Sequence, residues 1–160
     1  TDPYNFLDNM LQKIELRQFR RVDVVCGRYN LNYEILCQKY KKYLNVVVYK
    51  NVSDMKKYMQ DADLAVSAGG TTLYELCAVG TPTISYSFAD NQLDNVRQFD
   101  EDGLIAYAGD LRRDDVTENV EKMIDRFRKD FALRKKSSNR MQAIVDGKGA
   151  ERLAKALINM

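Results

Sequence analysis

Apolar residues along this chain recur at two spacings, one typical of strands and one typical of helices. Short apolar runs predict five strands, at Val22–Cys26, Val46–Tyr49, Leu64–Val66, Thr83–Tyr86 and Leu104–Tyr107. Elsewhere apolar residues return every three or four positions, which predicts helices with one apolar face. These helices are expected after the Asp2 N-cap, over 33–43, after a Ser53 cap, over 72–79, over 91–102, over 116–127, up to Val145, and around Leu153–Ile158. A polar turn is expected over 135–139.

Alternation of strands and helices predicts an α/β fold. Parallel neighbours need crossover helices, so we expect a Rossmann-like parallel sheet with helices on both faces. No repeat or linker divides the sequence, and residues 1–160 are predicted to form a single domain. The chain opens on a helix signal, Asp2 followed by Pro3, with no strand before it. We therefore expect a fragment of a longer protein, cut just inside a strand–helix turn, with the first strand of the sheet missing.

The most informative stretch is DADLAVSAGGTTLYELCAVGTPTISYSFADNQ, residues 61–92. It predicts a strand, a glycine turn, a helix that Gly80 and Pro82 end, and a second strand. Such a unit can direct the N–H groups of a helix N-terminus at a phosphate. Gly69 and Gly70 would let a ligand approach the backbone and would permit positive φ. A tight turn without a ligand is the alternative interpretation of the two glycines.

Glu75 also has two interpretations. The residues Thr72-Leu73-Tyr74-Glu75 fit a capping box, in which the Glu75 carboxylate accepts a hydrogen bond from the Thr72 N–H. The same carboxylate could instead accept both hydroxyls of a ribose lying over the helix start, because it offers two acceptor oxygens. Both roles use the same oxygens, and the spacing alone does not choose between them.

Polar loops follow the other predicted strands, and ligands of parallel α/β sheets bind at this end. The loop residues Asp90-Asn91-Gln92 could cap a helix or contact the hydroxyl and N-acyl groups of a sugar. Arg28 and Lys50 could be solvated charges or partners of a diphosphate. The segment Asp146-Gly147-Lys148-Gly149 lacks a preceding strand, so we interpret it as a turn between helices.

The amino-acid composition narrows the classes of function that this chain could have. The net charge is +2 with interspersed signs, so neither nucleic acid nor an anionic membrane is an expected partner. No segment is long and apolar enough to span a membrane. The three cysteines lack metal-ligand spacing and there is no histidine, so we expect no metal and no cofactor. Reduced core thiols indicate a cytoplasmic protein.

The stretch AGGTTLYELCAVGTPTISYSFADNQ resembles the C-terminal, nucleotide-binding half of GT-B-type enzymes that act on UDP-sugars. The similar families are the UDP-sugar hydrolase of pseudaminic acid synthesis and the spore-coat polysaccharide biosynthesis proteins. The peptidoglycan N-acetylglucosaminyltransferase is similar at a greater distance. The likeness extends from Thr1-Asp2-Pro3 to the DGKGAER segment at 146–152, and it is most specific over 63–92.

This resemblance implies roles for particular residues. The backbone of Asn51 and Val52 would pair with the uracil edge, and the sugar would contact Asn91 and Gln92. Glu75 would take the ribose hydroxyls. The diphosphate would be held by amides of the segment Ala68, Gly69, Gly70, Thr71 and Thr72. In this loop, the sequence Asp90-Asn91-Gln92 resembles the hydrolase family more than the transferase family.

The resemblance also implies a reaction for the intact protein. In the hydrolase, a histidine of the N-terminal domain activates water, and UDP leaves a UDP-sugar of the diacetamido-trideoxyhexose type. Catalytic residues would then lie in the missing domain across a cleft, and this chain alone would bind UDP or a UDP-sugar weakly without turnover. The alternatives are the donor-binding half of a GT-B glycosyltransferase and a non-catalytic α/β interaction module.

Overall fold

The computed structural model describes residues 2–159 of the chain. Strands and helices alternate over the first two thirds of that range, and three helices follow the last strand. The strands are β1 Val22–Cys26, β2 Val46–Lys50, β3 Ala65–Ala68, β4 Thr83–Ser87 and β5 Ala106–Asp110. The helices are α1 Phe6–Lys13, α2 Tyr33–Tyr40, α3 Met55–Asp61, α4 Thr72–Val79, α5 Asp90–Glu101, α6 Val116–Lys129, α7 Phe131–Ile144 and α8 Gly149–Ile158.

All strand pairs are parallel, but they form two sheets rather than one. The first sheet pairs β1 with β2, and the second has the order β3-β4-β5. In the register, Cys26 lies opposite Lys50 in the first sheet and Ala68 lies opposite Tyr86 in the second. Parallel pairing brings the C-terminal strand ends of each sheet to one edge. The predicted α/β class, with parallel strands and helices on both sides, is confirmed, whereas the single continuous sheet is not formed within residues 2–159.

Two layers of helices cover the sheets. We call α1, α2 and α6 the front layer, because their apolar residues form one core with inward residues of β1, β2 and β4 such as Val24, Val46 and Ile84. We call α3, α4 and α5 the back layer, whose core includes Met59, Leu73 and Val96 and is joined by Met141 of α7. Helix α8 buries no residue in either core.

Several predicted boundaries are wrong for identifiable local reasons. Helix α1 begins at Phe6 instead of Pro3, because Tyr4 and Asn5 adopt left-handed φ values of 60° and 55°. The Asp2 carboxylate still accepts a hydrogen bond from the α1 amide of Leu7 at 3.0 Å. Helix α3 is capped by Asp54, whose Oδ1 accepts from the Lys57 N–H, and not by Ser53.

The predicted turn over 135–139 is absent from the described chain, since these residues lie inside α7. The break comes earlier, at Asp130, whose carboxylate caps α7 by accepting from the Leu133 N–H at 2.8 Å. The last strand is also displaced along the sequence. Leu104 and Ile105 are buried in the back core but precede β5, which runs over 106–110.

Candidate functional site

The glycine turn between β3 and α4 is held by backbone hydrogen bonds to its surroundings. The Gly69 N–H donates to the Tyr86 carbonyl of β4 at 2.8 Å, and the Gly70 N–H donates to the Ala68 carbonyl at 2.8 Å. A Cβ on Gly69 would lie 2.1 Å from Cγ1 of Val96, whereas one on Gly70 would meet no heavy atom within 4 Å. Positive φ, which the sequence suggested for this pair, occurs instead at four other glycines, including Gly80. Gly69 is thus required for close packing against α5.

The N-terminus of α4 carries amide groups that the protein does not use. Thr71 is the N-cap residue, and its side chain makes no capping hydrogen bond. Among residues 2–159, no hydrogen-bond acceptor is paired with the N–H groups of Thr71 and Thr72. Because the Gly69 and Gly70 amides already donate elsewhere, the free donors at this turn are those of the two threonines. A helix start with unpaired N–H groups is suited to an anion.

Glu75 is exposed one turn into α4. The predicted capping box does not form in the described chain, because no hydrogen bond links the Glu75 carboxylate to the Thr72 N–H. No other group in residues 2–159 hydrogen-bonds to this carboxylate. The Glu75 carboxylate is therefore exposed and has no hydrogen-bond partner among residues 2–159, in the same helix turn as Thr72.

The loop after β4 lies against the glycine turn. Gln92 is half-buried, and its Cβ would be 3.5 Å from a Cβ built on Gly69. The Gln92 Oε1 accepts from the Phe88 N–H at 3.0 Å, which leaves its Nε2 as the remaining group for a ligand. Asn91 is exposed. Helix α5 begins at Asp90 with Ala89 as the N-cap, so the predicted capping role of Asp90 or Asn91 is wrong.

Asn51 and Val52 lie at the end of β2, in the other sheet. Asn51 is exposed with φ of 50°, and its N–H donates to the Cys26 carbonyl at 2.8 Å. A ligand contact from this loop would therefore use the Asn51 carbonyl or the half-buried Val52. No hydrogen bond in residues 2–159 joins this loop to the glycine turn. The structure thus brings the predicted residues of 68–75 together with Gln92, but it does not connect them directly to 51–52.

An ionic cluster beside α5 was missed in the sequence. The Arg112 guanidinium makes a bidentate contact with Asp110, at 2.7 Å to its Oδ2, and reaches Asp90 Oδ1 at 2.8 Å. These hydrogen bonds from Arg112 lower the pKa of the Asp110 carboxyl to about 2. The signal was the polar run GDLRRDD, which begins at the end of β5, a strand predicted to start two residues and to end three residues too early. The cluster ties the start of α5 to the end of β5.

Other polar candidates have structural roles. The Lys50 ammonium lies 4.9 Å from the centre of the Tyr33 ring. Cys26 and Cys77 are buried as expected, and burial raises the pKa of the Cys77 thiol to about 12. No group of three or more Cys, Asp or Glu side chains in the described range is placed to hold a metal ion. None of the helices within 2–159 is both long and apolar enough to cross a membrane.

A solved glycosyltransferase structure shares the fold of this chain. The solved structure of WaaG, a glycosyltransferase involved in lipopolysaccharide biosynthesis, superimposes with a TM-score of 0.69 at 16% identity, covering 91% of this chain and 39% of WaaG. A sequence model of the family described as "Glycosyltransferase family 28 C-terminal domain" matches residues 4–156. The chain therefore belongs to the family 28 glycosyltransferase C-terminal domains.

Two curated relatives cover parts of the chain. The spore coat polysaccharide biosynthesis protein SpsG of Bacillus subtilis (strain 168) is 27% identical over 135 residues, which are 83% of this chain and 39% of SpsG. The UDP-N-acetylglucosamine–N-acetylmuramyl-(pentapeptide) pyrophosphoryl-undecaprenol N-acetylglucosamine transferase of Helicobacter acinonychis (strain Sheeba) is 42% identical over 64 residues, which are 37% of this chain and 18% of the transferase. The chain thus spans about two fifths of SpsG and less of the transferase.

Proposed function

We propose that this chain is the donor-binding half of a two-domain glycosyltransferase and that its donor is a UDP-sugar. The observation that carries the proposal is the N-terminus of α4, where no partner within residues 2–159 pairs the Thr71 and Thr72 amides or the Glu75 carboxylate. Family membership supports this assignment, and the Helicobacter acinonychis relative is named as a UDP-N-acetylglucosamine-using transferase. A UDP-N-acetylhexosamine is accordingly the first donor to test.

The geometry supports a division of roles among the site residues. The partial positive charge of the α4 N-terminus and the two threonine amides would hold the diphosphate. The Glu75 carboxylate would accept the ribose hydroxyls, and Asn91 with the Gln92 Nε2 would donate to the sugar. Asn51 and Val52 would bind the uracil through backbone groups other than the Asn51 N–H. Fixed amides aimed at a leaving diphosphate stabilise the charge that develops there during transfer.

The hydrolase interpretation receives no support from the comparisons. SpsG is named for polysaccharide biosynthesis, and the other two relatives are named as transferases. The interpretation depends on the Asp90-Asn91-Gln92 sequence alone. In the full-length protein, release of free sugar from a UDP-sugar without acceptor would favour the hydrolase. Release of UDP that requires an added acceptor would favour the transferase.

The binding site itself is tested by the variant Glu75→Gln. The substitution preserves shape and removes a charge that no described residue of the protein pairs, so the fold should be unaffected. Because hydrogen bonds to a charged group contribute about 1.5–3 kcal/mol, we expect UDP affinity to fall about 10- to 100-fold in isothermal titration. UMP should show a similar loss, since it retains the ribose.

The matched control is Glu101→Gln, at the C-terminal end of α5. This variant removes the same charge from an exposed glutamate at the C-terminal end of a different helix. UDP affinity should therefore not change. Equal UDP affinity in Glu75→Gln and the unsubstituted protein would contradict the ribose role. A folded full-length protein that binds neither UDP nor UMP would instead support the non-catalytic module.

A further inference from the structure

Helix α5 begins without a side-chain cap. Its N-cap residue is Ala89, which has an extended backbone and offers no side-chain acceptor to the first helical N–H groups. Within the first turn, the Gln92 N–H donates to the Ala89 carbonyl at 3.1 Å, and the Gln92 Oε1 accepts from the Phe88 N–H at 3.0 Å. Helix ends without a cap fray readily. The direction of this first turn therefore depends on contacts from neighbouring elements.

Two neighbouring elements hold the first turn of α5 from opposite sides. On one side, Gln92 lies against the glycine turn, since its Cβ is 3.5 Å from the position of a Cβ built on Gly69. On the other side, Asp90 Oδ1 accepts from the Arg112 guanidinium at 2.8 Å. Residues 90 and 92 are about 200° apart around the helix axis, because each residue of an α-helix adds about 100°. The exposed Asn91 therefore lies between these two supports.

The Arg112 guanidinium is fixed by its own loop at the end of β5. Asp110 Oδ1 accepts from the Arg112 N–H at 3.0 Å and from Nε at 3.0 Å, while its Oδ2 accepts from Nη2 at 2.7 Å. The Asp110 N–H in turn donates to Asp114 Oδ2 at 2.7 Å. The Asp110 side chain is only 7% exposed. Nη1 is thus the part of the guanidinium that extends from this anchored position to α5.

The contact between Arg112 and Asp90 is too exposed to add much to folding stability. The Asp90 side chain is 83% exposed, and ion pairs at such positions contribute little. Most of the described ion pairs join residues close together in sequence, whereas this one links the start of a helix to the end of a strand. Its main effect is therefore on the direction of the first turn of α5.

We propose that Arg112 is a positioning residue for the donor sugar. By holding Asp90 from the end of β5, it sets the direction in which Asn91 and the Gln92 Nε2 meet the sugar of the bound nucleotide. This role rests on the proposed function, in which these two side chains contact the sugar and the α4 amides contact the diphosphate. Among residues 2–159, Arg112 makes no hydrogen bond to α4. Loss of Arg112 should therefore weaken contacts to the sugar and spare those to UDP.

The test compares UDP with UDP-N-acetylglucosamine in isothermal titration of the full-length protein. In Arg112→Gln and in Asp90→Ala, affinity for UDP-N-acetylglucosamine should fall about 3- to 10-fold, as expected when neutral hydrogen bonds to the sugar are lost. UDP affinity should stay within about 2-fold of the parent value. The double variant should lose no more than the larger single loss, because both substitutions remove the same contact.

Arg128→Gln is the matched control. Arg128 pairs with Asp125 on α6 at 3.0 Å, and its side chain is 34% exposed, compared with 27% for Arg112. Its loss should leave the affinity for both nucleotides unchanged. If Arg112→Gln fails to fold, Arg112→Lys replaces it, because the positive charge beside Asp110 is kept. A single ammonium cannot hold Asp110 through two parallel bonds and also reach Asp90, so Arg112→Lys should show the same sugar-specific loss.

Three results would overturn this role. The first is full affinity for UDP-N-acetylglucosamine in the Arg112 variants. The second is an equal loss of affinity for UDP and UDP-N-acetylglucosamine, as expected of a merely structural residue. The third is single losses that add in the double variant, which would mean that Asp90 meets the sugar independently of Arg112. All three leave UDP binding by the unsubstituted protein intact. Absence of that binding would instead overturn the proposed function together with this role.

Discussion

Gly69 and Gly70 are adjacent but have different surroundings, and this allows the packing and ligand effects of the turn to be separated. Gly69→Ala would place a methyl group 2.1 Å from the Val96 side chain, so we expect a loss of about 1–3 kcal/mol in the free energy of unfolding. Gly70→Ala adds a methyl group in open space and should leave stability within about 0.5 kcal/mol. Urea denaturation of both variants measures the difference.

The same two variants, Gly69→Ala and Gly70→Ala, also test the candidate nucleotide site. If a diphosphate lies over the α4 N-terminus, Gly70→Ala should weaken UDP binding while the protein stays fully folded, because its methyl group occupies the space a ligand would use. Unchanged UDP affinity in Gly70→Ala would place the ligand elsewhere. If Gly70→Ala destabilised the protein as much as Gly69→Ala, the space beside Gly70 would have to be occupied in the folded protein.

Through the Asp110 carboxyl, the free energy of unfolding should depend on pH. Hydrogen bonds from Arg112 hold its pKa at about 2 in the folded state, below the ordinary value of 3.8. The ionised form therefore favours folding. That contribution is complete above about pH 4 and is lost as the pH falls through about 2. Between pH 5 and pH 2, the urea midpoint should fall less in Asp110→Asn than in the unsubstituted protein. An equal loss in the two proteins would assign the acid sensitivity to other carboxylates.

At the scale of the element, the boundary between α6 and α7 depends on one side chain. Asp130 ends α6 and caps α7 through the Leu133 N–H, so Asp130→Ala should destabilise the domain by about 0.5–2 kcal/mol. Asp130→Asn retains an acceptor oxygen and should recover most of the loss. Urea denaturation distinguishes the two. If both variants were as stable as the parent, packing of Met141 would be fixing α7 without its cap.

Most elements could be predicted because their apolar spacing and their end signals agree. Val22–Cys26 was placed correctly, and Gly80 ends α4 with a φ of +77° as expected. The errors arose where the burial of a residue does not match its place in a strand or helix. Leu104 and Ile105 form a buried apolar run outside the ladder, and the polar residues over 135–139 lie inside a helix that few apolar residues anchor.

The site was harder to predict because its decisive property is which groups remain unpaired. Sequence spacing identified Glu75 but could not choose between capping and ligand contact. Only the geometry shows one carboxylate and two amides that have no hydrogen-bond partner in the described part of the chain. Arg112 was missed because its partner Asp90 is distant in sequence, and the nearby Asp110 in the run GDLRRDD does not by itself reveal that pairing.

For the molecule as a whole, the candidate site lies at an exposed edge, where the Thr71 and Glu75 side chains are open to solvent. The groups at the α4 N-terminus and Glu75 face outward from one layered domain, as expected of half of a cleft. The chain spans 39% of both SpsG and WaaG. We therefore propose that the other half of the cleft, including the catalytic groups, comes from a second domain of the full-length protein.

The close contact between Gly69 and Val96 has a consequence for how a ligand is received. The glycine turn packs directly against α5, whose first residues include Gln92, while Arg112 pairs Asp90 at the start of the same helix with Asp110 at the end of β5. The turn and the loop after β4 therefore pack together through the protein's own contacts. On the proposed function, the groups that meet the diphosphate and the sugar would therefore keep their relative positions when a nucleotide binds.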